Sequence, residues 1–229
     1  MGEKAGAGAW ESYFYPDTYD PATQEGTLRN LFEERDARVL KRLEYVETAE
    51  RQRELLAGEA SVEATYDAAH VRAVHRHLFG DVYEWAGQYR TVAITKGTPG
   101  GFAATDQIDR YLADVHRLAC QTAWWALDRD EVAEQAAAVF AYLNHAHPFR
   151  EGNGRTAKVF MTYLVRQSRF ALDFTRVSPQ EWNAASRDSG PDLGSYDPVP
   201  DSLVPVFARL VVDGPATPLG HVPEQGRQP

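Results

Sequence analysis

Residues 147–158 read HPFREGNGRTAK, from His147 to Lys158. Gly152 and Gly154 bracket Asn153, with Glu151 just before the first glycine and Arg155 just after the second. Glycines let a chain turn so that successive N–H groups converge on one point, and a helix starting there adds its positive dipole end. An arginine in a first helical turn opposes that dipole. Arg155 makes more sense if an anion is held between its side chain and the backbone. The stretch is therefore predicted to be a phosphate-type cradle at a helix N-terminus.

The flanking segments say what carries the cradle. Before it, residues 131–146 place Val132, Ala136, Val139, Phe140 and Leu143 at helical spacing, with Asp130 as the expected cap. After it, residues 153–169 are apolar on nearly every side, through Val159, Phe160, Met161, Tyr163, Leu164 and Val165. A helix apolar all round is a central, buried one. Further helices are expected over 31–56, with Leu40, Leu43 and Val46 inward, and over 66–79, with Asp67 as cap and Val71, Val74 and Leu78 inward. Others are expected over 106–125, after the Ser178-Pro179-Gln180-Glu181 capping box, and over 202–212.

One stretch breaks the helical pattern. Residues 89–95 (YRTVAIT) are β-prone, KGTPGG (96–101) is the clearest turn, and Phe102-Ala103-Ala104 follows. This predicts a lone β-hairpin, which serves either as a connector or as an edge that captures an extended peptide. The expected fold class is mainly α: a single helical domain with a small β-hairpin flap. Residues 1–12 are expected to be a mobile N-terminus, 13–213 the domain, and 214–229, with four prolines, a disordered tail.

Composition narrows the function. The chain has 229 residues, 43% of them hydrophobic, enough for one real core. A formal net charge of -9 argues against direct binding to nucleic acid or an anionic membrane surface. No stretch approaches a membrane span. Cys120 is the single cysteine, so no intrachain disulfide forms; it is expected to be a small buried residue. A reducing, cytoplasmic setting is the natural expectation.

The side chains of the loop suggest a division of labour. Pro148 stops the preceding helix at His147, leaving an imidazole beside the cradle with a pKa range suited to a general base. Phe149 is expected to anchor the loop, and Arg150 to face either solvent or a phosphate. Glu151 is a hard oxygen donor suited to Mg²⁺. Gly152 and Gly154 permit close backbone approach, and Asn153 can donate to a phosphate oxygen while capping the helix. Arg155 is a bidentate phosphate ligand, and Lys158, one turn on, a point charge.

This stretch resembles the signature of the Fic family, HPFx(D/E)GNGRxxR, with Lys158 where the last arginine usually stands. Residues 78–92 (LFGDVYEWAGQYRTV) are similar to the stretch preceding that family's flap, and the similarity covers roughly 13–212. The resemblance implies an enzyme that transfers AMP from ATP, with Mg²⁺, to a Ser, Thr or Tyr hydroxyl of a target protein. It implies that His147 is the base, Glu151 the metal ligand, and Gly152, Asn153 and Gly154 the anion hole. It places Arg155 on the leaving phosphates and Lys158 near the γ-phosphate. Lys96 and Phe102 flank the turn where the flap clamps its target.

Three rivals compete with that reading. A metal hydrolase suggested by His145 and His147 with Glu151 is disfavoured, because two histidines two apart at a helix end face different directions and no further clear ligand is nearby. Kinase-like relatives carry lysine at the second glycine, which here is Gly154. A catalytically silent nucleotide-binding scaffold is favoured only by Lys158. The donor nucleotide is open among ATP, GTP and UTP. Many relatives are restrained by a helix bearing (S/T)xxxE(G/N), and no such site occurs in this sequence. A small helical antitoxin that places a glutamate near Lys158 and Arg155 is therefore the expected partner of a toxin-like chain.

Overall fold

The computed structural model describes residues 10–94 and 101–214. Seven α-helices make up nearly half of them: α1 (Ala37–Ala57), α2 (Ala68–Phe79), α3 (Ile108–Gln121), α4 (Arg129–Ala146), α5 (Asn153–Val165), α6 (Pro179–Asp188) and α7 (Val204–Leu210). Their starts follow local chemistry. Asp36 accepts from the N–H groups of Arg38 and Val39, and Asp67 from that of His70. The cap of α4 is Asp128 rather than Asp130: Asp128 and Glu131 form a reciprocal capping box, which leaves Asp130 inside the first turn. The box at Ser178 and Glu181 opens α6 as expected.

Two apolar clusters fill the interior. The larger joins α3, α4, α6 and α7 to one side of α5, through Phe140, Phe160, Leu164, Trp182 and Phe207 among others. The smaller joins α1 and α2 to the other side of α5 through Leu40, Leu55, Val74, Leu78, Phe79 and Val159. α5 is thus held on two sides, as the expected central helix should be, and its N-terminus is a rigid base.

The sheet is not where the sequence pattern put it. Strand β1 (Phe170–Leu172) pairs antiparallel with β2 (Val211–Asp213), with Ala171 opposite Val212. Neither described limb of the expected hairpin, 89–94 or 101–104, registers as a strand. The limbs still meet, because the Phe102 N–H donates to the Ile94 carbonyl at 3.4 Å. Residues 95–100, including Lys96, lie outside the described residues, as do 1–9 and 215–229.

Two further expectations are corrected. On α1 the buried positions are Leu40, Glu44, Thr48 and Leu55, while Leu43 and Val46 are exposed. Cys120 is exposed on α3, with Sγ 3.5 Å from His116 Nδ1. Among the described residues, no helix is long and apolar enough to cross a membrane.

Candidate active site

His147 sits at the C-cap of α4 in the left-handed region, with φ 38° and ψ 59°. That conformation turns the chain out of the helix, and Pro148 keeps it out. The imidazole stacks on the Phe102 ring with centroids 3.6 Å apart and planes 10° from parallel. His147 and the flap limb are therefore in direct contact. Both line a cleft of about 380 Å³ with Asn144, Asn153, Gly154, Ala157, Trp182 and Arg187.

The loop between His147 and α5 is held by backbone bonds to buried groups. Arg90 contributes most. Its N–H donates to the Pro148 carbonyl at 2.8 Å and its Nε to the His147 carbonyl at 2.8 Å. Its other nitrogens donate to Val92 at 2.9 Å and to Ala103, on the two limbs of the flap. One guanidinium thus joins the His147 loop to both limbs. Burial lowers its pKa from the usual range, but an arginine stays charged. Sequence reasoning missed this residue; the only signal was its place in the stretch before the turn.

His75 supports the other end. Its Nδ1 accepts from the Gly87 N–H at 2.8 Å, so Nε2 carries the proton and donates to the Glu151 carbonyl at 3.0 Å. Its ring lies 3.7 Å from that of Phe149, which is fully buried, as an anchor should be. Burial holds the His75 pKa down to about 4, so it is neutral near pH 7.

The signature residues divide between three surfaces. His147, Asn153, Gly154 and Phe102 come together in the cleft. Gly154 is open: a Cβ there would meet nothing within 4 Å. Gly152 is glycine for another reason. It has φ 82°, and a Cβ would lie 2.3 Å from the Phe79 ring. Asn153 is the first helical residue and caps nothing; its amide accepts from the Phe149 N–H at 2.9 Å and donates to the Phe149 carbonyl at 2.8 Å. It clamps the loop. Glu151 is about one-third exposed, accepts from the Gly152 N–H at 3.1 Å, and has one oxygen 4.0 Å from Arg155.

Arg155 and Lys158 point elsewhere. Arg155 pairs with the Glu44 carboxylate, donates to Thr48 Oγ1 at 2.9 Å and lies over the Phe79 ring. Glu44 also accepts from the buried Tyr83 hydroxyl, whose pKa is pushed up by burial and by that carboxylate. Lys158 lies beyond Trp182 in a separate small cleft, with its ammonium 5.1 Å from the Phe174 ring centroid; burial lowers its pKa. Among the described residues, the arginine that lines the His147 cleft is Arg187 on α6, for which the sequence held no signal; its Nε donates to Asp188 Oδ1 at 3.4 Å.

Comparison with known proteins agrees with this geometry. Residues 65–165 match the family model described as "Fic/DOC family". The chain is 38% identical over 178 residues to the protein adenylyltransferase VbhT of Bartonella schoenbuchensis, covering 76% of this chain and 37% of that protein. It is 36% identical over 189 residues to the probable protein adenylyltransferase y4lH of Sinorhizobium fredii, covering 78% of this chain and 93% of that one. The chain thus spans little more than a third of the length of VbhT. Among solved structures, it superposes on the BepC protein of Bartonella tribocorum with bound AMPPNP at a TM-score of 0.75, with 25% identity, 90% of this chain and 98% of that one covered. An N-terminal Fic domain from Bartonella quintana with bound ADP gives a TM-score of 0.76 and 29% identity, covering 89% and 95%. With the loop, the flap limbs and the helical scaffold all in place, the chain belongs to the Fic/DOC family.

Proposed function

We propose that this chain is a protein adenylyltransferase that moves AMP from ATP to a Ser, Thr or Tyr hydroxyl of a target protein. The observation that carries the reading is His147 at the C-cap of α4, stacked on Phe102 and facing the open backbone at Gly154. His147 takes the hydroxyl proton while the hydroxyl oxygen bonds to the α-phosphorus. The bond from that phosphorus to the bridging oxygen breaks, and pyrophosphate leaves with the electron pair. The start of α5 and Arg187 offer positive charge along the cleft, which suits a reaction governed by positioning and charge stabilisation. Asn153 holds the loop, and Gly152 and Gly154 leave the helix start accessible. Relatives named protein adenylyltransferase and Fic structures holding AMPPNP or ADP support ATP as the donor.

Glu151 fits Mg²⁺ that arrives with the nucleotide. It is a hard, partly exposed carboxylate within the loop, and Mg²⁺ needs only one or two such groups besides phosphates. No group of three ligating residues occurs among the described residues, so phosphates and water would complete the shell. An ion there would neutralise charge on the phosphates. Lys96, by resemblance, and Phe102 are assigned to target capture on the flap.

Control by a small helical antitoxin in the cytoplasm belongs to the same proposal. The inhibitory motif is missing from these 229 residues. In addition, Arg38, Lys41, Arg42, Tyr45 and Val46 line an open cleft that ends on Glu44 and Arg155. The test is protein-bound label from α-³²P-ATP against γ-³²P-ATP, with Mg²⁺ and then with excess EDTA. Label from the α position alone, lost in His147→Ala and in EDTA, is expected. Label from the γ position, or an unaffected His147→Ala, overturns the assignment.

A further inference from the structure

Arg150 lies in the middle of the loop that carries His147. Its neighbours are tied by their backbones: His147 and Pro148 to Arg90, Phe149 to Asn153, and Glu151 to His75. Among the described residues, no hydrogen bond reaches the backbone or the guanidinium of Arg150, and no carboxylate comes within ion-pair distance of it. Yet its relative exposure is only 8%. The side chain is turned away from solvent. It lies 3.9 Å from the Trp10 ring centroid, 5.2 Å from that of Phe14 and 5.6 Å from that of Tyr13.

A buried cation without an anion is costly, and burial accordingly lowers the Arg150 pKa. Three electron-rich ring faces are what offset the cost. The rings are braced in turn. Trp10 Nε1 donates to the Gln24 carbonyl at 3.0 Å, and Phe14 stacks on Tyr19. The Tyr13 hydroxyl contacts both the N–H and the hydroxyl of Thr91, on the limb leading into the flap. The aromatic N-terminal strap therefore touches the catalytic loop through Arg150 and the flap through Tyr13.

We propose that Arg150 is a positioning residue for the transfer reaction: its caged guanidinium is the tether that fixes the middle of the loop and, with it, the placement of Glu151 between His147 and the start of α5. The proposal rests on the assignment of this loop as the transfer centre. Arg150 touches no reacting atom in this account. With that side chain cut, the middle of the loop is held only through the backbone bonds of its neighbours, which leaves it room to shift. A misplacement of about 1 Å costs on the order of a hundredfold in rate.

The experiment uses the full chain with α-³²P-ATP and a soluble bacterial lysate as acceptor pool, below the melting temperature of every variant. Wild type and His147→Ala come first. If they label equally, the transfer-centre reading fails and takes this proposal with it. If they differ, Arg150→Met, Arg150→Lys and Trp10→Leu are compared. Arg150→Met should lower the rate at saturating ATP about tenfold or more while KM for ATP moves less than about twofold. Arg150→Lys should recover most of that rate, since an ammonium still fits the cage. Trp10→Leu should also lower the rate, and the double variant should be no worse than Arg150→Met alone, because both cut one tether. If Arg150→Met does not fold, Trp10→Leu and Arg150→Lys decide. A folded Arg150→Met or Trp10→Leu at wild-type rate, or losses that simply multiply in the double variant, would overturn the proposal.

Discussion

Replacing Arg90 by methionine keeps a long, apolar stem and deletes the donors that join the His147 loop to the flap. The wild-type residue is 2% exposed and donates through its side chain to the carbonyls of His147, Val92 and Ala103. A hydrogen bond from a charged group contributes about 1.5–3 kcal/mol, and a buried carbonyl left without a donor costs about 1–3 kcal/mol. Three such losses do not add fully, because the loop relaxes and water enters. A total of about 3–5 kcal/mol is the reasoned expectation. Against a typical total of about 5–15 kcal/mol, the variant should fold at low temperature but with a much reduced urea midpoint. Its backbone bond to Pro148 survives, so the loop should not be lost altogether. Transfer should fall further than folding, on the order of a hundredfold in the folded protein, because His147 loses its tether to the limb that carries Phe102. Arg90→Lys should be intermediate: an ammonium keeps the charge but cannot span three carbonyls. A loss below about 1 kcal/mol for Arg90→Met, with transfer at the wild-type rate, would refute the reasoning.

The two glycines should separate fold from chemistry. Gly152→Ala must strain φ 82° and push against Phe79, so it should cost about 2–5 kcal/mol by urea unfolding. Gly154→Ala meets nothing, so it should fold as well as wild type yet lose transfer if the backbone there must approach a phosphate; equal rates would discard that role. Glu44→Gln should release Arg155 and lower KM for ATP on the order of fivefold, the equivalent of about 1 kcal/mol. A raised KM with lost stability would show instead that the pair is a strut. His70 and His75 are both held down to about 4 by burial, below the ordinary value of 6.5. The unfolded chain therefore takes up these protons first as pH falls. Stability should drop between about pH 6.5 and 4; an unchanged urea midpoint from pH 7 to pH 5 would contradict neutral burial.

What could be read from the sequence followed the strength of local rules. The Ser178–Glu181 capping box, a helix apolar on two sides and a glycine-rich turn into a helix each depend on residues close in the chain, and the turn that starts α5 was legible for that reason. Phe149 as an anchor and His147 beside the loop followed from the same run. The misses arose where a distant partner decides. The inner face of α1 was assigned to Leu43 and Val46 because Glu44 and Thr48 look like solvent residues. They are buried because Arg155, more than a hundred positions away, gives them a partner. A polar inner face hides a helix's orientation from any hydrophobic pattern. Arg90 and Arg150 were invisible in the same way: an arginine in a sequence shows neither the carbonyls nor the rings that enclose it.

The displaced pair, Arg155 and Lys158, carries the last consequence. The resemblance assigns both to the nucleotide, yet neither lines the cleft that holds His147. Both lie on α5 near its start, three residues apart, yet their side chains reach different neighbours: Glu44 and Thr48 on α1 for Arg155, the Phe174 and Trp182 rings for Lys158. To reach a triphosphate, Arg155 must leave a carboxylate that also holds the Tyr83 hydroxyl. Lys158 must leave an aromatic pocket. An arginine in Lys158's place would bring a longer, forked cation to that pocket, so the two residues are not interchangeable. If the proposed reaction runs in this chain, its leaving phosphates are met either by a rearranged Arg155 or by Arg187, which lines the cleft beside its exposed partner Asp188. The kinetics of Arg155→Ala against Arg187→Ala separate these. A large loss confined to Arg187→Ala would mean that this chain's phosphate cation comes from α6 rather than from the signature itself.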